Sequence, residues 1–210
     1  MRNNVHDAAR ALYEAQRYEE ALRAYDHALA RDPRDAVTWN GRGDVLHDMG
    51  RFEDALVAYE HSLALDPSVA WAWNGKGYAL LALRRYDEAL AAYDRSLALD
   101  PAEPLSWHSV GYILHDLGRY EEALRAYDHS LALDSTSGKS IQVWRNKARL
   151  LSRRLGRHDE ALAACEHAIT LAATSARGWT LKAEILRASG DEQGARNAEK
   201  HATTLEDQEP

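Results

Sequence analysis

The sequence predicts an all-α fold, a solenoid of about six helix–turn–helix repeats. Three observations carry that prediction. Trp39, Trp73 and Trp107 stand 34 residues apart, and the same spacing links Gly43, Gly77 and Gly111 and links Ala21, Ala55, Ala89 and Ala123. Whole phrases return with it: RFEDALVAYEHSLALDP (Arg51 to Pro67) becomes RYDEALAAYDRSLALDP from Arg85 and RYEEALRAYDHSLALDS from Arg119. Each period contains two runs of helical apolar spacing and no strand signal, and periods in this range mark stacked repeat architectures.

Each repeat opens with a tryptophan-bearing helix, breaks at a short turn such as DMGR or DLGR, and continues into a second, antiparallel helix. Asp32-Pro33, Asp66-Pro67 and Asp100-Pro101 close three of them, because proline ends a helix at the preceding residue. The acidic pairs Glu19-Glu20, Glu53-Asp54, Asp87-Glu88, Glu121-Glu122 and Asp159-Glu160 mark second-helix starts, where carboxylates complement the helix dipole. Gly43 and Ala55 are small enough for close helix approach, while Trp39, Leu46, Tyr59 and Leu63 fill the space around them. Two short helices bury little alone, so the repeats are expected to stack into one elongated core.

The expected repeats run from about 2 to 35, 36 to 69, 70 to 103, 104 to 137, 141 to 175 and 176 to 209, within a single domain of residues 1–210. Val5 takes the tryptophan position of the first. An irregular junction over 135–141, STSGKSI from Ser135, precedes a fifth repeat in which Cys165 replaces the usual tyrosine. From Trp144 to Ala161 is one residue longer than from Trp107 to Ala123. The sixth retains Trp179, Ala183, Gly190 and Ala195, then turns polar with Glu199 in the tyrosine column, so its second helix reads as an end cap.

The columns Trp73, Gly77, Ala89, Tyr93 and Pro101 resemble the tetratricopeptide repeat (TPR) family over nearly the whole chain. Arg42, Lys76 and Val110 depart from it, standing where the family often has leucine. The resemblance implies a right-handed superhelix whose first helices line a concave groove, in which family members commonly hold peptides of other proteins. Some members grip a C-terminal carboxylate with Lys, Arg and Asn. Here His6 and Arg10 occupy two columns of that clamp, but Gly41 stands where its asparagine would be and Arg145 with Arg149 lack the remainder.

Composition bounds the function. The chain is 45% hydrophobic and 28% charged, as a folded protein is, and no run approaches the roughly 20 apolar residues of a membrane span. Without an apolar signal core at its start, a cytoplasmic location is expected. The single cysteine cannot form an internal disulfide, and a net charge of −7 argues against a nucleic-acid partner. The SGKS of Ser137–Ser140 lacks the earlier glycine of a phosphate-binding loop, having Leu133 there, and reads as a linker. His27, His61, His129 and His167 form a column, but stacked helices hold such side chains too far apart for one metal ion, so a solvated face is expected. Cys165 sits in a packing column, as a small buried thiol would. No cofactor, metal or enzyme motif stands out.

The first-helix face opposite the tryptophan and glycine columns is free of packing duty, and it is the expected peptide-binding surface. It carries Asn40, Asp44 and His47, then Trp71, Asn74, Tyr78 and Leu81, then Leu105, His108, Tyr112 and His115, then Arg145, Arg149 and Arg153, and in the sixth repeat Arg177, Thr180, Glu184 and Arg187. Fold-holding columns barely change between repeats, whereas this stripe runs from acidic through aromatic to basic. Asn40 and Asn74 are suited to an extended peptide backbone, and Tyr78 and Tyr112 are expected to lie off the packing columns of Tyr93 and Tyr127. The function expected is a non-catalytic scaffold for a protein segment. Its rivals are self-assembly through the solenoid ends and RNA binding along Arg145 to Arg157, as in helical-repeat RNA readers.

Overall fold

Tyrosines seated against glycines set the spacing of the helices. In the computed structural model, which describes the backbone of residues 3–207 and the side chains of residues 6–207, Tyr59 is 2% exposed. A Cβ added at Gly43 would lie 2.6 Å from its ring and one at Gly75 2.5 Å away. The ring thus fills the space between the first helix of its own repeat and that of the next, and neither position has room for a side chain. The expected start of the first repeat at Arg2, the side chain of Val5 and the expected end of the sixth repeat at Glu209 lie outside the described residues.

Among the described residues there are twelve α-helices and no strand. First and second helices alternate: α1 (Asn3–Glu14) with α2 (Tyr18–Arg31), α3 (Ala36–Asp48) with α4 (Phe52–Leu65), α5 (Ala70–Ala82) with α6 (Tyr86–Leu99). Then follow α7 (Pro104–Asp116) with α8 (Tyr120–Leu133), α9 (Ser140–Arg153) with α10 (His158–Leu171), and α11 (Ala176–Ala188) with α12 (Glu192–Glu206). The chain divides into two compact units, Met1–Ala102 and Glu103–Pro210. Within the first, α1 packs on α3 and α3 on α5, in addition to each helix on its successor; within the second, α7 packs on α9 and α9 on α11.

The fifth repeat redistributes the volume of its core. Where Cys165 replaces tyrosine, Ala148 and Leu181 occupy the two columns filled by Gly43 and Gly75 at Tyr59. A smaller side chain on one helix is matched by larger ones on its neighbours, the compensation a close-packed interior requires. Buried serines add a polar tie that the sequence reading missed. Ser62, Ser96 and Ser130 donate to the carbonyls of Ala36, Ala70 and Pro104 at 2.8, 3.0 and 2.8 Å, pinning each second helix to the start of its first.

The junctions rest on aspartate as well as proline. Asp32, Asp66 and Asp100 accept the backbone N–H two residues on, from Arg34, Ser68 and Ala102. Asp134 does the same for Thr136 and also accepts from Ser137, so the turn forms without proline. Ser137, inside the SGKS stretch, also donates its hydroxyl to Asp134. The longer junction still delivers Trp144 to its place: its indole donates to the Ser135 carbonyl at 3.1 Å, as Trp39 and Trp73 donate to Pro33 and Pro67 at 2.9 Å.

Candidate peptide-binding faces

In the first compact unit, the α3 residues expected to face a ligand form a polar network of their own. Asn40 is only 4% exposed and donates its amide to Asp44 Oδ2 at 3.0 Å. The other Asp44 oxygen accepts the Tyr59 hydroxyl at 2.9 Å, and Tyr13 from α1 donates to Asp48 at 2.8 Å. Burial pushes the Asp44 carboxyl up to about 6; the Tyr59 hydrogen bond opposes this, the nearby Asp48 charge adds to it, and His47 opposes it. Burial also pushes the Tyr59 phenol far above its ordinary value. Asn40 Oδ1 is buried without a hydrogen-bond partner among the described residues.

On α5, Trp71 is 46% exposed, while Asn74, Tyr78 and Leu81 are half-buried. Tyr78 meets Tyr93 edge-on, with ring centroids 5.7 Å apart, and lies 6.2 Å from the His47 ring. The sequence reading kept Tyr78 apart from the packing aromatics; it rests on one of them.

In the second unit, Leu105 is half-buried and Tyr112 is 42% exposed. His108 is half-buried, with Nε2 3.0 Å from Asn146 Nδ2, and burial lowers its pKa so that the ring favours the neutral form. His115 lies 3.2 Å from Asp116 and packs near Tyr120. Arg145 and Arg149 are half-buried on α9, whereas Arg153 is exposed and donates to Glu184 of α11 at 2.7 Å. Burial holds the Arg145 pKa below its ordinary value, and the charges of Arg149 and Arg177 lower it further. A cavity of about 370 Å³ lies beside them, lined by Arg149, Arg153, Leu181, Glu184, Ile185 and Arg187 among others.

Family models for the tetratricopeptide repeat match residues 6–70 and 40–104, and a further one matches residues 102–174. The chain belongs to the tetratricopeptide repeat family. No curated protein sequence matches it. Its fold is similar to that of PilW, described as a widely conserved type IV pilus biogenesis factor, at 22% identity over 97% of this chain and 92% of that one, with a TM-score of 0.85. Pseudomonas aeruginosa pilF is similar at 20% identity over 94% of this chain and 88% of that one, with a TM-score of 0.81. YrrB, described as a TPR protein with an unusual peptide-binding site, matches at 20% identity over 87% of this chain and 92% of that one, with a TM-score of 0.71. At these identities the likeness is one of fold.

The TPR columns also explain two sets of polar residues. His61, His129 and His167, read from sequence as a solvated face, each stack on the tryptophan of their own repeat, with ring centroids 4.4, 4.7 and 4.4 Å apart. Arg42, Lys76, Lys147 and Lys182, three residues after a tryptophan, each place their charge 5.4–5.8 Å from that ring. Each also pairs with an acid on the preceding second helix: Asp26, Glu60, Asp128 and Glu166. A signal was present in the sequence, since acid and cation are 16 residues apart in three pairs. The fourth, Asp128–Lys147, spans 19 across the longer junction.

No group of three or more His, Cys, Asp or Glu residues that could hold a metal ion occurs among the described residues, and no helix there is long and apolar enough to cross a membrane. Cys165 is buried, its thiol directed at the Gly178 carbonyl 3.4 Å away, and burial pushes its pKa up to about 11.

Proposed function

We propose that this TPR protein is a non-catalytic cytoplasmic scaffold that holds an extended segment of a partner protein along the faces of its first helices. One observation carries the reading. The packing tyrosines Tyr25, Tyr59, Tyr93 and Tyr127 are at most 2% exposed, yet Trp71 on a first helix of the first unit and Tyr112 on a first helix of the second are 46% and 42% exposed. Large apolar side chains left open on a face whose polar residues change from repeat to repeat suit recognition better than folding. The similarity to YrrB, described as having a peptide-binding site, supports a peptide as the ligand.

Aromatic anchors dominate binding energy at such surfaces. Selection of a phage-displayed random peptide library on this chain is expected to enrich peptides with a large apolar residue. A Trp71→Ala/Tyr112→Ala variant is expected to bind the enriched peptides about 10-fold more weakly or worse, with an unchanged melting temperature. Equal binding by parent and variant refutes the groove reading and moves attention to the solenoid ends.

A further inference from the structure

We propose that Arg145, Arg149 and Arg177 form an anion subsite that takes a carboxylate of an acidic residue in the bound segment. The inference rests on the peptide-binding reading above and specifies the chemistry at one position of it.

The cations around this subsite are already neutralised. Lys147 pairs with Asp128, Arg153 with Glu184, Lys182 with Glu166 and Arg187 with Glu199. Among the described residues, no carboxylate pairs with Arg145, Arg149 or Arg177. Arg145 Nε is buried and has no hydrogen-bond partner among the described residues. The same guanidinium feels the like charges of Arg149 on its own helix and Arg177 on α11. A half-buried cation repelled by two others is costly, and a carboxylate placed among the three would remove the repulsion.

The residue type favours the same ligand. A guanidinium fork matches the two oxygens of a carboxylate, and hydrogen bonds between ionised partners are the stronger kind. On the stripe read from the sequence, Arg153 is occupied by Glu184, and it is Arg177 of the next repeat whose charge reaches Arg145 together with that of Arg149. Arg149 also lines the adjoining cavity of about 370 Å³, which leaves room for a side chain next to the charge cluster. Three charges on two neighbouring first helices, with Glu184 beside them, suit one acidic side chain better than a polyanion. A nucleic acid calls for a longer basic track, and the chain carries a net charge of −7.

The test selects the same displayed random library on the parent and on an Arg149→Gln/Arg177→Gln variant, both sites being more accessible than Arg145 Nε. Asp or Glu is expected to be enriched at one position with the parent and not with the variant. A synthetic copy of the leading peptide is expected to lose about 10-fold or more in affinity for the variant, to regain only part of it with Arg149→Lys/Arg177→Lys, which keeps the charge but not the fork, and to bind a Lys200→Gln control on α12 as it binds the parent. Enrichment without acidic bias overturns this inference and leaves the groove reading standing. Failure to enrich any peptide overturns both. Tighter binding of a random single-stranded RNA pool than of the leading peptide overturns it in favour of nucleic acid. Arginine-dependent dimerisation in light scattering overturns it in favour of a second copy of the chain.

Discussion

Asp44 shows how a residue on the expected binding stripe can belong to the fold. The spacing of α3 placed it on the right face, but nothing local in the sequence says that Tyr59, fifteen residues on in α4, reaches it. Its folded carboxyl titrates at about 6, above the ordinary 3.8, so the native state holds the proton more tightly than the unfolded chain. Stability from this group is therefore fully present below the unfolded value and is lost as pH rises through about 6. Asp44→Asn removes that loss, and Asn40, whose carbonyl is unpartnered, can turn to accept from the new amide. The variant is expected to gain on the order of 1–2 kcal/mol over the parent at neutral pH and almost nothing near pH 4. Urea unfolding at both pH values measures it as a difference, which cancels the opposite slope of arginine-paired surface carboxylates such as Glu88 and Glu122. Parallel pH curves for the two proteins would refute the buried-carboxylate account.

At the level of elements, the helices were legible because their columns recur, and the acidic pairs fell in the first turns as expected. Each second helix begins one residue before its pair, at Tyr18, Phe52, Tyr86, Tyr120 and His158. There the preceding arginine takes the N-cap position and binds the second acid of the pair, as Arg85 binds Glu88. The turns within repeats were less legible. Gly50 and Gly118 end them with φ of 74° and 76°, but Arg84 takes the same left-handed conformation at 57°. A side chain there is strained where glycine is not. Arg84→Gly is expected to stabilise the protein by about 0.5–1 kcal/mol, since the guanidinium is only 3.5 Å from the Tyr86 hydroxyl and gives up little. A melting temperature below that of the parent would contradict this. The fifth repeat was irregular on paper because its junction is longer, yet Asp134 and Trp144 rebuild the same joint around Ser135 and Ser137 without proline, a convergence visible only in three dimensions.

For the whole molecule, the contacts among the described residues within each compact unit join helices that are adjacent or next but one along the chain. In such an array stability is a sum of local terms and neighbour interfaces, so damage at one repeat spreads only as far as coupling carries it. Gly43→Leu tests this. The new side chain would start 2.6 Å from the Tyr59 ring, which has little room to shift, since even a Cβ at Gly75 on the next first helix would lie 2.5 Å from it. Overpacking is expected to cost about 1–3 kcal/mol or more, and it falls on both the α3–α4 pair and the interface with α5. Hydrogen exchange should therefore lose protection in α3, α4 and α5 and keep it in α9 to α12, where the packing column holds Cys165 between Ala148 and Leu181 and no tyrosine transmits the strain. Equal loss of protection in every helix would instead mean that all the repeats unfold as one cooperative body, and the nearest-neighbour account of the fold would fail.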